Sequence, residues 1–519
     1  MSSPQEAVAP ASRTYFGAFS DPDAMALAIQ GIDPGATGLR PLGAAAPRFR
    51  ATLARAALGS INVGTGPDHQ VMIQAGTLFV AADPGLYTPG TRYTVITTES
   101  GGKVTFDDVA GGTAFLSPQL SLDLHHIYVT LALEPGAFRA GGLTGNQQAV
   151  GGALDAIAAT GSYGGLITAV ASVPLGQGPA ALQTLSGEPY ADFGTVNLRA
   201  SQLFMNAVGG QMAVARGAGG PAGDNRRTLV EPGTEAASPF SVWGSGIGTR
   251  GSVAGNSSAA DLDYALGGMA AGIDYRLDSR VLLGVAGGYV GGSQSVRGFA
   301  GDADTETVSA VAYGSFADGA FYADALAGYA RASNSLQRIN ASPGLPAGVA
   351  DGDTDADQFL GQIETGYKIG LDTPFKTSIT PFGRLQVASI DQDGFTENGA
   401  SNYNLTIASE TMTSVRRTLG ADFAASFAVG AGTRLDLGLR LGWVHEFGDT
   451  DQSMTAAFVA APGQLFTVSG ATAQRDSALV GLSLAAAANE QASLFASYDA
   501  ELGGGNGNHQ LRGGLRLTW

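Results

Sequence analysis

Two short stretches carry residue types that catalytic or metal sites use. Gly244–Gly248 places a serine among glycines, but a nucleophile elbow needs the order G-x-S-x-G, with the serine at its centre. Asp351–Asp357 has an aspartate at every second position, yet a calcium loop needs glycine at its sixth position and an acid at its twelfth, where Ala356 and Gln362 stand. We therefore predict a strand for the first stretch and a solvated surface loop for the second.

The remaining candidates for chemistry are equally weak. His125 and His126 are adjacent on a predicted strand, so their side chains point to opposite faces and cannot chelate one ion. The chain has no Cys, which excludes a thiol nucleophile, a Cys-based zinc site and a disulfide scaffold. It also lacks the P-loop, H-E-x-x-H and dinucleotide-binding patterns. The sequence predicts no enzyme, no metal and no cofactor.

Composition narrows the function classes further. The 519 residues carry a net charge of −17 and include 77 Gly, with 44% hydrophobic and 14% charged residues. An acidic chain is a poor nucleic-acid binder, because such binding needs a basic surface. The hydrophobic content argues against a disordered chain.

Targeting signals leave two interpretations. No stretch reaches the ~18 apolar residues of a membrane helix, and the best candidate, 150–173, is interrupted by polar residues and glycines. The start of the chain, Met1–Glu6, has neither a basic region nor an apolar region typical of a signal peptide. The chain is then either a soluble cytosolic protein or one whose true N-terminus is missing or misassigned.

The C-terminal half distinguishes these interpretations through its periodicity. From Phe240 onward, segments of about 10 to 17 residues alternate apolar with small or polar side chains. In 433–447, Leu435, Leu437, Leu439, Leu441, Trp443 and Phe447 share one face, and Arg434, Asp436, Arg440 and Glu446 share the other. In 415–427 the same alternation is broken by Arg417. A soluble sandwich and a membrane barrel both produce this pattern.

Strand and connection lengths favour the barrel. A tilted membrane strand needs ~9–11 residues, whereas soluble strands average ~5–6. About twelve strands fit between 240 and 519, and short turns alternate with longer connections, as in outer-membrane barrels. The longer predicted connections are 251–260, 295–303, 335–353, 392–409, 450–471 and, of medium length, 504–507.

Several motifs carry a family resemblance. Val242–Gly246, Gly394–Ala400, Trp443–Phe447 and Arg475–Leu482 follow one another in an order and spacing that resembles the translocator domain of autotransporters, the type V secreted proteins of Gram-negative bacteria. Upstream, Thr144–Val150 and Ala181–Ala191 resemble the segments before that domain, and Gly90–Phe106 with Phe115–Leu120 resemble the last rungs of a passenger β-helix.

The resemblance implies a mainly β protein. Its C-terminal part is expected to be a 12-stranded antiparallel transmembrane β-barrel with a helix threaded through the lumen, preceded by a short β-helix-like passenger end. The predicted domains are an unassigned segment 1–59, the passenger end or an autochaperone-like cap at 60–135, a helical linker region at 136–239 with the pore helix at about 190–214, and the barrel at 240–519. A small independent β domain is the alternative for 60–135.

Site residues follow from the faces and from the resemblance. The predicted lipid-facing or girdle residues are Tyr367, Leu437, Trp443, Leu515 and Trp519, and the predicted lumenal residues are Glu364, Arg384, Arg416, Arg434, Asp436 and Arg440. Leu515, Leu517 and Trp519 are expected to form the assembly signal. Phe193, Phe204 and Asn206 lie on the pore helix, and we expect Arg416, Arg434 and Arg440 to hydrogen-bond its Asp192, Asn197 and Asn206. Asn206 is also the first place to look for autocleavage, although Asn206-Ala207 is not the Asn-Asn pair of some autotransporters.

The function that the resemblance implies is export. The chain is expected to be a monomeric outer-membrane translocator that exports and anchors its own passenger, with the N-terminal region at the cell surface. Its expected partners are outer-membrane lipid, the barrel-assembly machinery and the passenger, and no nucleic acid. The alternatives are a porin-like outer-membrane channel, or a surface enzyme or adhesin whose passenger domain is truncated here.

Overall fold

In the computed structural model, the internal contacts of the chain divide it into two units. One comprises 1–143, 147–185 and 340–347, and the other comprises 144–146, 186–339 and 348–519. The structure describes residues 27–29, 49–54, 61–63, 71–74, 77–82, 85–97, 102–106, 108–124, 126–161, 164–216, 239–340, 342, 344–373, 376–429, 433–487 and 492–518.

The first unit contains short strands followed by helices. The strands are β1 Leu27–Ile29, β2 Phe49–Ala54, β3 Ile61–Val63, β4 Val71–Gln74, β5 Thr77–Ala82, β6 Arg92–Thr97, β7 Gly102–Thr105, β8 Asp108–Gly112, β9 Leu116–Leu122 and β10 His126–Leu133. The helices are α1 Ala137–Ala140, α2 Gly145–Ala158, α3 Gly165–Ala171 and α4 Gly178–Ser186.

Parallel pairing in this unit repeats at a fixed interval. β4 pairs with β7 and β5 pairs with β8, and the partners Val71–Gly102 and Thr77–Asp108 are separated by the same offset of 31 residues. A constant offset between parallel strands is the geometry of successive coils in a β-helix. The antiparallel strands β6, β10 and β9 follow, with β10 in the middle. These parallel pairs are compatible with the predicted β-helix-like end, and the assignment of 60–135 to a passenger stays a prediction.

The second unit contains one long helix and the remaining strands. The helix is α5 Glu188–Ala215. The long strands are β11 Phe240–Val253, β12 Leu262–Arg276, β13 Val281–Val296, β14 Gly301–Asp318, β15 Phe321–Asn340, β16 Gly348–Tyr367, β18 Ser378–Gln392, β21 Glu410–Val429, β22 Thr433–Glu446, β25 Asp476–Ala487, β26 Ala492–Gly503 and β27 Asn506–Thr518. The short strands are β17 Ile369–Gly370, β19 Phe395–Thr396, β20 Leu405–Ile407, β23 Ser453–Phe458 and β24 Leu465–Ser469.

The twelve long strands form a closed antiparallel barrel. Each pairs with its sequence neighbour among the twelve, and β11 pairs with β27, so that the ring has no free edge. The predicted strand number and closure are confirmed. No helix in the described part of the chain is long and apolar enough to cross a membrane.

The two rims differ in their connections, although less strictly than we predicted. One rim carries 277–280, 319–320, 368–377, 430–432 and 488–491, and the other carries 254–261, 297–300, 341–347, 393–409, 447–475 and 504–505. We call them the short-turn rim and the long-connection rim. Two predicted connections on the second rim, 295–303 and 504–507, are tight turns, because their flanking strands continue to the end of the hairpin.

The acidic stretch Asp351–Asp357 is a second correction. It forms part of strand β16 and is not a loop, since β15 and β16 extend over 20 residues each. Its aspartates lie on the outward face, where Asp355 and Asp357 pair with Arg331 at 2.8 and 3.3 Å. Among the described residues, no group of acids and histidines is arranged to hold a metal ion.

Candidate functional site in the barrel lumen

Helix α5 lies in the same unit as the barrel and contacts strands β11, β12, β13, β14, β16 and β18. It begins after Gly187, whose left-handed φ of 65° turns the chain, and Pro189 in the first turn suits a helix start. Its 28 residues correspond to about 42 Å at ~1.5 Å per residue, close to the full thickness of a bilayer. The structure therefore extends the predicted helix 190–214 slightly at both ends.

Small residues make room for this helix. At Gly288, a side-chain Cβ would lie 2.5 Å from the ring of Phe204, and at Gly210 it would overlap the guanidinium of Arg512. Phe193 and Phe204 are both fully buried. Phe204 joins a core that also contains Val208, Met212 and inward side chains of the wall such as Trp243. The lumen is thus packed like a protein interior along much of the helix.

Asn206 is bound on several sides by the barrel wall. Its Nδ2 donates to Gln510 Oε1 at 3.0 Å, and its Oδ1 accepts from Arg384 at 3.1 Å and Gln386 at 3.2 Å. The guanidinium of Arg512 contacts its backbone carbonyl. These contacts hold the middle of the helix against strands β18 and β27.

The prediction of which wall residues hydrogen-bond the helix was partly wrong. Arg416 and Arg440 pair with acids of the wall, Arg416 with Glu501 and Arg440 with Asp422 at 2.6 Å. Asn197 accepts instead from the Thr305 hydroxyl at 3.0 Å. The side chain of Arg434 lies outside the described ones. Basic residues do bind the helix, but they are Arg384 and Arg512 rather than those we predicted.

The lumenal charges neutralise one another. Glu364 is 4% exposed and accepts from Arg384 at 2.7 Å and from the Tyr322 hydroxyl at 2.9 Å, with Arg440 at 3.4 Å. Asp436 accepts a hydrogen bond from Ser426. Arg199 of the helix lies 3.7 Å from Glu501. Buried charges that are paired and hydrogen-bonded in this way favour a closed lumen over an open aqueous one.

The helix ends at opposite rims of the barrel. At its N-terminal end, Glu188 accepts from the Ala260 N–H at 2.6 Å, on the long-connection rim. At its C-terminal end, Arg216 pairs with Asp324 and stacks 3.9 Å above the ring of Tyr322, beside the short turn 319–320. The chain therefore passes through the barrel from one rim to the other.

Strands β19, β20, β23 and β24 form a separate four-stranded sheet from two long connections, here called the mouth sheet. The sheet is joined to the barrel by a buried ion pair. Arg338 and Glu397 are 0% exposed, and Arg338 Nε donates to Glu397 Oε1 at 2.9 Å. The Tyr190 hydroxyl of α5 donates to the same oxygen at 3.0 Å.

A second contact fixes the helix to the long-connection rim. Asp192 is fully buried and its Oδ1 accepts from the Ala471 N–H at 2.8 Å. Its other oxygen has no hydrogen-bond partner among the described residues.

The predicted lipid-facing residues lie on the outward face. Their exposed fractions are 56% for Tyr367, 43% for Leu437, 44% for Trp443, 45% for Leu515 and 43% for Leu517. Trp519 lies outside the described residues. With the other outward leucines, these side chains give the barrel an apolar outer surface.

Three important residues of the mouth were not among the predicted site residues. Glu397 and Tyr190 lie inside the motifs Gly394–Ala400 and Ala181–Ala191, but the motifs gave them no role. Arg338 lies in the predicted connection 335–353, which the structure replaces largely by strand. The available signal was that Glu397 is the only charged residue between Asp393 and Glu410.

Comparison with known proteins agrees with this architecture. Residues 242–499 match the family described as autotransporter beta-domain. The esterase EstA from Pseudomonas aeruginosa is 28% identical over 231 residues, which cover 44% of this chain and 35% of that protein. The chain therefore spans about a third of the length of this curated relative.

Two solved structures are similar in fold. The beta domain of the Bordetella autotransporter BrkA is 17% identical, with a TM-score of 0.42, covering 54% of this chain and 100% of that one. The translocator domain of the autotransporter NalP from Neisseria meningitidis is 17% identical, with a TM-score of 0.43, covering 54% of this chain and 88% of that one.

Proposed function

We propose that this chain, whose residues 242–499 match the autotransporter beta-domain family, is an outer-membrane translocator that exports its own N-terminal region and anchors it at the cell surface. The observation that carries this proposal is the path of α5, from Glu188 at the long-connection rim to Arg216 at the short-turn rim. Because α5 lies inside a closed barrel, we infer that the residues preceding it in the chain crossed the membrane through the same lumen.

The orientation follows from the rims. In outer-membrane barrels the short turns face the periplasm and the longer loops face outward. Strand β11 starts, and strand β27 ends, at the short-turn rim. Because α5 begins at the opposite rim, the chain before Ser186 emerges at the cell surface.

The outer surface suits a lipid environment. Closure satisfies the backbone hydrogen bonds of every long strand, which is required in a membrane without water. The outward leucines of β22, Leu437, Leu439 and Leu441, offer apolar side chains to lipid. We propose outer-membrane lipid as a partner. We also propose that the barrel-assembly machinery recognises Leu515 and Leu517 of the last strand together with Trp519, which follows it in the sequence.

The contents of the lumen favour a translocator rather than a porin-like channel. The helix and the paired charges around Glu364 fill the barrel, whereas a porin-like channel needs a water-filled passage. The esterase activity in the name of EstA belongs to that relative. Among the described residues of this barrel, the hydrogen-bond partners of His445 and His509 are Asp476 and Tyr498, not a serine. We propose that the barrel itself does not catalyse a reaction.

Surface accessibility tests the proposal. The full chain, fused to a secretory signal peptide in a Gram-negative host, receives an epitope at Gly161 of the first unit or, as the control, at Gly319 in a short turn. Antibody should label the Gly161 tag on intact cells and the Gly319 tag only after the outer membrane is permeabilised. If only the Gly319 tag were labelled on intact cells, the orientation would be the opposite of the one proposed. If neither tag were labelled, export would be contradicted.

A further inference from the structure

We propose that the outward face of the barrel carries a binding site for the phosphate group of an outer-leaflet lipid, centred on Arg417. The inference rests on the proposed orientation in the outer membrane. Arg417 is the residue that interrupts the apolar alternation of strand β21, and the structure shows what surrounds it.

Arg417 belongs to the lipid-facing row. It lies between Val415 and Leu419 along β21, and its cross-strand partners are Leu385 and His445. Leu385 and Leu419 are 43% and 45% exposed. A cation on this face is costly at the middle of the membrane and costs little near its surface. The depth of Arg417 therefore matters.

The position along the strand places Arg417 near the outer surface of the membrane. Strand β21 runs from the long-connection rim to Val429 at the short-turn rim. A strand tilted by ~40° rises about 2.5 Å per residue along the membrane normal, so Arg417 lies about 30 Å from the short-turn end. The apolar band of such barrels is ~25 Å tall. Arg417 is thus at headgroup level when the short turns lie at the inner surface.

Aromatic rings hold the guanidinium in place. Its Cζ lies 5.0 Å from the ring centre of Trp443 and 5.2 Å from that of Phe447. Trp443 Nε1 donates to Asp476 Oδ1 at 2.8 Å, and the His445 ring contacts the same oxygen at 2.8 Å. The ring of Trp443 is therefore fixed, and Asp476 is engaged by residues other than Arg417.

Arg417 itself has no anionic partner in the described part of the protein. Its Nε is buried and has no hydrogen-bond acceptor, and no carboxylate lies within ion-pair distance of its guanidinium. Arg331, on the outward face of β15, is the contrast, because Asp355 and Asp357 both pair with it. One outward cation is neutralised by the protein, and the other is left for an external anion.

A lipid phosphate matches this arrangement. Guanidinium binds phosphate through paired, charge-assisted hydrogen bonds, and stacking on aromatic rings leaves its edge free to do so. Below Arg417, Leu419, Phe423 and Leu441 continue the outward face with apolar surface for acyl chains. A phosphate attached to acyl chains would contact the guanidinium and this surface together, whereas free phosphate would contact only the guanidinium.

Lipid binding to the full-length protein in non-ionic detergent tests the site. Native mass spectrometry would compare bisphosphorylated lipid A with phosphate-free diacylglycerol, on the wild type, Arg417→Leu, Arg417→Lys and the matched control Arg331→Leu. We expect Arg417→Leu to weaken lipid A binding about tenfold, in keeping with loss of a charge-assisted contact. Arg331→Leu should bind lipid A as the wild type does, and Arg417→Lys should fall between.

Several results would overturn the proposal. Arg417→Leu could bind lipid A as tightly as the wild type does, or Arg331→Leu could lose as much lipid A affinity as Arg417→Leu. The wild type could bind diacylglycerol as tightly as lipid A. Millimolar inorganic phosphate could displace lipid A, which would identify a free-anion site. Heat-modifiable gel migration checks that each variant is folded. If Arg417→Leu does not fold, Arg417→Lys decides, because unchanged lipid A affinity in that variant would contradict the role of the paired, planar contact. A failed tag experiment with intact lipid A binding would contradict the export proposal alone.

Discussion

Replacing Arg338 by Met removes the cationic half of the buried pair at the mouth of the barrel. Glu397 would keep the Leu405 N–H at 2.7 Å and the Tyr190 hydroxyl at 3.0 Å. It would lose the Arg338 Nε contact at 2.9 Å and the second contact with the same guanidinium. The Tyr403 carbonyl would lose its donor at 2.8 Å. The carboxylate would then be buried with two neutral donors and no cation.

The size of the effect follows from this imbalance. Breaking a buried ion pair by removing one partner costs about 3–5 kcal/mol, because an uncompensated charge remains. Replacing both partners by apolar residues is often neutral, apart from groups left without a partner. We therefore expect Arg338→Met to be severely destabilising, and the double variant Arg338→Met/Glu397→Leu to be more stable than Arg338→Met alone.

Native-state hydrogen exchange measures the effect where it should occur. The amides of the mouth strands β20 and β23 should exchange about a hundredfold to a thousandfold faster in Arg338→Met, since ~1.4 kcal/mol corresponds to a factor of ten. Amides in the middle of β11 and β27 should be unchanged and serve as the internal control. Uniform acceleration throughout the barrel, or no acceleration in the mouth strands, would refute the assignment of this pair to the mouth sheet.

Two further outcomes follow from the structure. Leu437→Arg should impair folding into lipid vesicles far more than Asp436→Arg, by ~2–4 kcal/mol at mid-membrane, and equal yields would mean that the two faces are misassigned. Deleting 190–214 should raise ion conductance in planar bilayers and lower thermal stability, whereas unchanged conductance would contradict the sealing role of α5.

The barrel was predictable because alternation determines the face of each residue. Once the row from Leu435 to Trp443 is recognised as one strand, its leucines must share a face and Asp436 and Arg440 the other. Strands long enough to cross a membrane then indicate that the apolar face contacts lipid and does not form the core of a soluble sandwich. Arg417 interrupts the apolar row of the neighbouring strand β21 without changing the face, since that strand continues on both sides of it.

The contacts of the helix were not predictable in the same way. Asn206 is held by Arg384 and Gln386 of β18 and by Gln510 and Arg512 of β27. Alternation predicts that such side chains face the lumen, but the height of each one depends on the stagger between strands and on how far α5 is inserted. Arg416 and Arg440 face the lumen as well, and the acids beside them, Glu501 and Asp422, engage them instead.

The mouth sheet could not be predicted from the sequence, for a related reason. Its strand β20 has three residues and pairs with β23 across two barrel strands, Leu405 with Phe458 and Ile407 with Ala456. A strand of that length shows no measurable period, and its partner lies in another connection. Its stability must come from tertiary contacts, and Glu397 supplies them by joining the Leu405 amide, the guanidinium of Arg338 and the hydroxyl of Tyr190. Because Tyr190 belongs to α5, the mouth sheet can complete these contacts only when the helix occupies the lumen, which links closure of the mouth to the final position of the chain.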